Sequence, residues 1–494
     1  MADVLLTHSN HLYFDRKQTR KMQPYPPLQT LIAAAALREE GLETALFDAT
    51  LNPPEEGFYA ALDQHRPRLV AVCEDNFNYL TKMCLARNRE LAFFMCRAAK
   101  ARGLPVLVNG SDASDHAGEY LAQGADFILI GEVEKTLVET AAKLLRSPQA
   151  ETEGRLPGRV AEEIRGLAYL DSVSGQVRRT PPREVIADLD RIPPPAWDLI
   201  DASQYRKAWL SAHGYFSVNM VSSRGCPYRC NWCAKPIYGQ SYHFRSPSRV
   251  ADEMLYLKTR FQPDRLWFAD DIFALSPRWT EEFAEAVETR GAQIPFQMQS
   301  RCDLMTRDTV AALRRAGCAE VWMGVESGSQ RVLDAMEKGL RVQHVYQARE
   351  NLLRHGIRAC YFLQFGYPGE TWIDIQSTIH LVRETKPDDI GVSVAYPLPG
   401  TKFYGLVKAQ LGSQKNWLDS DDLAMMFQGA YTSEFYKALR DALHLEVDIA
   451  QKRKTGSSRE QLCLLWRQVE QMEKTCSNPN ATALPDPAPV WTCC

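Results

Sequence analysis

Residues 223–236 read SRGCPYRCNWCAKP, with Cys226, Cys230 and Cys233 in the spacing C-x3-C-x2-C. The stretch directly follows a β-type run, FSVNMVSS (216–223), which places the thiols on a loop at the C-terminal end of a strand. Thiolates this close together suit a soft metal. Structural zinc takes four ligands; His243 stands downstream, but no Cys or His pair with finger-like spacing follows. A redox C-x2-C pair at Cys230 and Cys233 leaves Cys226 without a role. A 4Fe–4S cluster takes one thiolate per iron, so three thiolates leave one iron open. On a strand-end loop, such an iron is a place for a substrate or cosubstrate to chelate.

Working outward, that run opens a regular series: FSVNMVSS (216–223), RLWFAD (265–270), FQMQSR (296–301), EVWMGVES (320–327), ACYFLQFG (359–366) and IGVSVAY (390–396). Each of the first five is followed by an amphipathic segment. In SRVADEMLYLKTRF, for example, Val250, Met254 and Leu257 share a face at helical spacing. Residues 215–400 therefore predict a partial (β/α)6 barrel or a long parallel sheet, with its active face at the strand C-terminal ends.

The N-terminal residues 1–146 also alternate. DVLLTH, TALFDA, LVAVCE, PVLVNG and DFILIG are strand candidates separated by helical stretches, which describes an α/β, doubly wound, Rossmann-like domain. Such sheets bind ligands in the loops beyond the strand ends, here SNHLYFD, NGSDASDH and GEVEKT. Residues 147–214 read as a linker, with a hairpin at GLAYLDSVSGQVRR and the Pro-punctuated LDRIPPPAWDLID. Residues 401–476 are helical in composition. The tail 477–494 reads as disordered, with Cys493 and Cys494 as incidental exposed thiols.

Composition narrows the function. The formal net charge is 58 − 61 = −3, so no global basic field points to nucleic acid. No stretch approaches the ~20 apolar residues of an integral membrane segment, and the first residues lack a secretory pattern; a cytoplasmic location is expected. The 13 cysteines are odd in number and unevenly spread, which disfavours a disulfide framework. Cys302, Cys318 and Cys360 read as small buried hydrophobes.

With Trp232 just before the third cysteine, the motif at the head of six βα units resembles the radical S-adenosylmethionine (SAM) enzymes. The resemblance implies that the open iron binds the amino and carboxylate groups of SAM. One electron then cleaves SAM to methionine and a 5′-deoxyadenosyl radical, which abstracts a substrate hydrogen. It also implies that Trp232 packs near the adenine. The segments FADDIF, SRCDLM, GVESGS and FGYPGET resemble the family's SAM-contact segments, which nominates Asp270, Asp271, Arg301, Glu326 and Ser327. For Asp271 and Ser327 a helix N-cap serves equally well, and Gly366 and Gly369 suit the turn.

An α/β domain ahead of this barrel resembles the cobalamin-binding group of the family. That resemblance nominates Gly110, Ser111, Gly131 and Glu132 as cobalamin contacts, small residues letting the backbone approach a corrin; ordinary βα turns are the plainer reading. The Asp-x-His-x-x-Gly motif is absent: DQHRPR (63–68) has no glycine and sits in a helical stretch. His8 and His11 follow the first strand but stand alone, so no lower cobalt ligand is named. PAWDLID, DDIGVSVAYPLPGTKFY and DDLAMMF look most like relatives of the anaerobic magnesium-protoporphyrin monomethyl ester cyclase.

The group implies a 4Fe–4S cluster, SAM and cobalamin acting on a small-molecule substrate, with an external one-electron reductant such as flavodoxin or ferredoxin. C-methylation at an unactivated carbon is the group's commonest reaction. An oxidative cyclase-like reaction without methyl transfer and a non-catalytic cobalamin-binding protein are the alternatives. Tyr396, Tyr404 and Met426 read as core rather than pocket.

Overall fold

The computed structural model describes residues 1–146, 161–234, 237–413, 415–454, 458–475 and 478. The tail expected to be disordered, with Cys493 and Cys494, lies outside the described residues apart from Asn478. The chain forms two compact units. The first comprises Met1–Cys226, Lys235–Asp270 and Asn416–Asp422; the second comprises Pro227–Ala234, Asp271–Lys415 and Leu423–Cys494.

The first unit holds a seven-stranded sheet of β1 (Val4–Thr7), β2 (Thr44–Phe47), β3 (Leu69–Cys73), β4 (Val106–Asn109), β5 (Phe127–Leu129), β6 (Leu167–Leu170) and β7 (Val177–Arg179), in the order β2-β1-β3-β4-β5-β6-β7. The first five strands run parallel. Period-2 alternation explains why they are apolar throughout. Leu5, Val70, Val72, Val106 and Val108 face one core, while Val4, Leu6, Leu69, Ala71 and Leu107 face the other. Each fully buried Val or Leu stabilises the fold by about 1.5–3 kcal/mol. The hairpin expected in the linker is formed by β6 and β7. It does more than connect, because it extends the sheet antiparallel to β5.

The same unit contains β8 (Ser217–Met220), parallel to β11 (Arg265–Phe268). It also contains a short antiparallel ribbon of β9 (Ser223–Arg224) and β10 (His243–Phe244). In the second unit β12 (Phe296–Ser300), β13 (Cys318–Glu326), β14 (Arg358–Phe365) and β15 (Asp389–Val394) run parallel, each beside the next. All six β-type runs read from residue 216 onward are therefore strands, and a helix follows each.

Local signals set the helix limits. Ser246 and Ser276 cap helices Pro247–Arg260 and Pro277–Arg290, each with proline at the start. Gly291 and Gly317 end helices Pro277–Arg290 and Arg307–Ala316 in the left-handed region. Among the described residues no helix is long and apolar enough to cross a membrane.

Candidate functional site

The cysteine segment leaves β8 and is pinned at its base before the first thiol. Asp270, at the end of β11, is 1% exposed. Its carboxylate accepts the Ser222 N–H at 3.1 Å and the Ser222 hydroxyl at 2.7 Å, and also the Ser223 hydroxyl. Arg224 pairs with His243 in the ribbon. Gly225 follows at φ +79°, and a Cβ there would lie 2.1 Å from the Ser241 carbonyl oxygen, so only glycine fits. Asp270, nominated as a SAM contact, is thus occupied in holding up the loop.

Arg224 is buried. Its Nη1 donates to Glu132 Oε1 at 2.8 Å and its Nη2 to Glu134 Oε1 at 2.5 Å. Glu132 also accepts the Ile186 N–H, and Glu134 accepts Gln29 Nε2 at 2.9 Å. Burial opposes the charge on Glu134, but Arg224 outweighs it and holds that carboxyl below its ordinary range.

The second part of the segment belongs to the second unit and is held by neutral groups. Asn231, between the last two cysteines, donates its backbone N–H to the Met336 carbonyl at 3.0 Å and its side-chain amide to the Ala335 carbonyl at 2.7 Å. It accepts from the Tyr367 hydroxyl at 3.1 Å and the Phe403 N–H at 3.0 Å. Trp232 packs against the apolar cluster that includes Val332, Met336, Tyr367, Phe403 and Phe427. Its indole N–H is shielded from solvent and meets no acceptor. The Arg301 guanidinium carbon lies 3.7 Å from the Tyr228 ring centroid. Arg301 is held in turn by Asp303 at 2.9 and 3.1 Å, the Lys338 carbonyl at 2.9 Å and the Gly339 carbonyl at 3.2 Å. It serves as a clamp on the loop.

Lys338, which sequence reasoning missed, is 7% exposed. Its ammonium donates to Glu326 at 2.8 Å and lies 5.9 Å from the Trp232 ring centroid. Burial disfavours its charge, but Glu326 and then Cys230 outweigh this and raise its pKa. Glu326 sits at φ +61° where the β13–β14 register shifts, a bulge that re-aims the side chain. A Cβ on Gly324 would meet both the Glu326 carboxylate and the Lys338 ammonium at 2.7 Å, so that glycine makes room for the pair. Ser327 is buried, hydrogen-bonded to Thr378 at 3.2 Å and accepting the Ser329 N–H at 3.1 Å. Asp271 is exposed.

Cys226, Cys230 and Cys233 are partly exposed, whereas Cys302, Cys318 and Cys360 are buried. Burial pushes the thiols of the buried three up, that of Cys302 to about 12, so they stay protonated. No group of three or more His, Cys, Asp or Glu converges on a single ion among the described residues. Thiolates that each bind a different iron do not require such convergence. Partly exposed thiols, with Cys230 near the buried Lys338 ammonium, fit an anionic iron–sulfur cluster.

At the strand ends of the α/β sheet, Gly110 backs onto Glu74 and Ser111 opens helix Ser111–Asp115. Gly131 lies at φ +82° and accepts Asn109 Nδ2 at 3.0 Å. Asn76 donates to Asn109 Oδ1 at 2.9 Å. Three buried oxygens here have no hydrogen-bond partner: Asn76 Oδ1, Thr81 Oγ1 and Ser111 Oγ. Unpartnered buried polar atoms are costly, so this edge fits a polar ligand. Burial pushes Glu74 up to about 7 and Asp75 up to about 6. His8 is fully buried; its Nε2 meets Asp48 at 3.1 Å and its Nδ1 accepts the Asn10 N–H at 3.3 Å, so both ring nitrogens are engaged. His11 meets the Ala49 carbonyl at 2.8 Å. Tyr396 and Met426 are buried and Tyr404 is half-buried.

Residues 220–382 match the model of the Radical SAM superfamily. An uncharacterized methyltransferase of Pyrococcus horikoshii is 28% identical over 64% of this chain and 66% of its own length. The anaerobic magnesium-protoporphyrin IX monomethyl ester cyclase of Synechocystis is 24% identical over 77% of this chain and 72% of its own. Among solved structures, the radical SAM methyltransferase TsrM of Kitasatospora setae, with cobalamin and a [4Fe-4S] cluster, aligns at TM-score 0.62 and 21% identity over 80% of this chain and 72% of its own. OxsB, a cobalamin-dependent SAM radical enzyme with aqua-cobalamin and SAM bound, aligns at 0.69 and 17% over 96% of this chain and 72% of its own. The chain therefore contains a radical SAM domain, set in the α/β fold that TsrM and OxsB share.

Proposed function

We propose that the chain is a cobalamin-dependent radical SAM enzyme that methylates an unactivated carbon of a small molecule. The observation that carries the reading is a conjunction in one chain. A C-x3-C-x2-C segment lies within a radical SAM domain, and a parallel α/β sheet elsewhere in the chain ends in unpartnered buried oxygens. A 4Fe–4S cluster on Cys226, Cys230 and Cys233 would supply an electron and an open iron for SAM, and cobalamin a carrier for a methyl group.

The chain's own residues bind and orient. Glu326 and Lys338 offer one anion and one cation, matching the ammonium and carboxylate of SAM's methionine end. Trp232 offers a flat apolar face and a free N–H for the nucleoside. Arg301, Asp270 and Ser327 hold the loops that carry these groups, and Asp271 stands at the same strand end as Asp270. Gly110, Ser111 and Gly131, with Asn76, form the polar edge for cobalamin; Glu132 belongs to that edge but its carboxylate is engaged by Arg224. The reductant is an external one-electron donor such as flavodoxin or ferredoxin.

A second reading, oxidative cyclisation without methyl transfer, is favoured by the cyclase relatives from three organisms, 24–26% identical. Anaerobic reconstitution with iron, sulfide, hydroxocobalamin and methyl-labelled SAM separates the two. Methylation yields S-adenosylhomocysteine together with 5′-deoxyadenosine and moves label into product. Cyclisation yields 5′-deoxyadenosine alone. A cluster-loaded chain that never cleaves SAM overturns both.

A further inference from the structure

We propose that Arg224 is a positioning residue that ties the first cluster cysteine to the Gly131–Glu134 loop of the α/β sheet, so that Cys226 and that loop move as one piece. The proposal rests on the cofactor assignment above.

Arg224 stands two residues before Cys226 and is 4% exposed. Its two terminal nitrogens reach two different carboxylates, Glu132 at 2.8 Å and Glu134 at 2.5 Å. Both are buried, and both lie on the stretch that opens helix Val133–Arg146. The guanidinium carbon also sits 5.6 Å from the Phe77 ring and 5.3 Å from the Tyr238 ring. Those rings stack on each other at 5.4 Å. The Tyr238 hydroxyl donates to Gln29 at 2.6 Å, and Gln29 donates to Glu134, which closes a buried circuit around the cation.

Surface ion pairs of this kind hold little, because water competes for both partners. Here water is excluded, and withdrawing the guanidinium would leave two carboxylates facing each other unpaired. The fork of an arginine can serve two acceptors at once, which a lysine ammonium does with poorer geometry. Between this fixed cation and Cys226 there is one residue, Gly225, at φ +79° with the Ser241 carbonyl so close that a side chain there would clash. A shift of Cys226 is therefore passed through a single residue to the ion triad and to the loop that carries Glu132.

The test uses the full chain as Arg224→Lys, Arg224→Met and the triple variant R224M/E132Q/E134Q. The triple variant removes charge from all three positions, so no buried carboxylate is left unpaired and folding is separated from tying. Iron and sulfide per chain are measured after anaerobic reconstitution. Loss of cluster iron to a chelator is then timed with and without hydroxocobalamin, and the reduced cluster is recorded by electron paramagnetic resonance. In the wild type, hydroxocobalamin is expected to slow iron loss. In the triple variant, iron loss is expected to be about 10-fold faster, unresponsive to hydroxocobalamin, and accompanied by an altered cluster spectrum. Arg224→Met behaves likewise and Arg224→Lys falls between. A folded triple variant with the wild-type rate, response and spectrum overturns the tie. If the triple variant does not fold, Arg224→Lys decides: faster iron loss supports the tie, and a wild-type rate overturns it. A wild-type chain that assembles no four-iron cluster overturns instead the reading of function.

Discussion

The base and the tip of the cysteine segment are held by opposite kinds of chemistry. At the base, Ser222 to Cys226, buried charge does the holding: Asp270 grips two serines, and Arg224 grips two glutamates. At the tip, Pro227 to Ala234, Asn231 makes four neutral hydrogen bonds and Trp232 packs on an apolar cluster. Arg301 adds a cation over Tyr228, yet its partners are chiefly carbonyls and its own neighbour Asp303. Buried charge fixes position steeply, because any displacement leaves an ion without its partner. Neutral hydrogen bonds and packing yield more gradually, at about 0.5–1.5 kcal/mol net for each bond.

The sharpest test of the comparison replaces a ligand at each end. Cys226→Ser at the base and Cys230→Ser at the tip should each abolish 5′-deoxyadenosine formation, read by chromatography after reconstitution. If either variant keeps the wild-type yield, that end does not hold the cluster. The next largest effect is on folding. Lys338→Met leaves Glu326 buried without its cation and should cost about 3 kcal/mol in urea unfolding. Adding Glu326→Gln should recover most of that loss; an additive double variant would show that the two groups do not act as a pair. Asn231→Ala removes the side-chain bonds to the Ala335 carbonyl and the Tyr367 hydroxyl, while Tyr367 still donates to that carbonyl, and should cost about 2 kcal/mol, a neutral-bond loss smaller than the charged one. An equal or larger loss would erase the contrast between charged and neutral anchors.

A pH-dependent effect concerns Glu370, whose buried carboxyl accepts the Gly366 N–H and leaves Oε1 unpartnered. Burial raises its pKa to about 8. The folded state thus holds this proton more tightly than the unfolded chain. The contribution is fully present below the ordinary glutamate range of about 4.5 and is lost as pH rises through about 8. Glu370→Gln should therefore match the wild type near pH 5 and exceed its thermal stability above pH 8. A constant difference across that window would mean that Glu370 does not titrate there.

Much of this arrangement is legible along the chain, and the illegible part has a common cause. The strand runs show themselves because burial on both faces demands apolar residues at every position, as in Leu69–Cys73. The cysteine spacing is local, so the thiol triad needs no tertiary information. The roles of Asp270, Arg301 and Ser327 do need it. A strand-end position nominates a polar residue for a ligand, but neighbouring backbone can claim the same side chain. Ser222 claims Asp270 across 48 residues of chain, and the Lys338 carbonyl claims Arg301 across 37. Asn231 had a signal, an amide between two cysteines, that only the surrounding carbonyls make meaningful. Lys338 had none: a lysine in MEKG reads as a solvated turn until Glu326 is seen beside it. The β6–β7 hairpin was visible as a hairpin, but its pairing with β5 depends on a free sheet edge that no local pattern reports.

By itself the sequence determined the α/β alternation, the six strands that follow residue 215 and the three thiols after the first of them. These rest on short-range periodicity and spacing. Only the tertiary structure decided which charged residues are anchors, because ion pairs form wherever folding brings opposite charges together, irrespective of their separation along the chain. Arg224 and Glu132 are 92 residues apart, yet their pairing holds Cys226 in place.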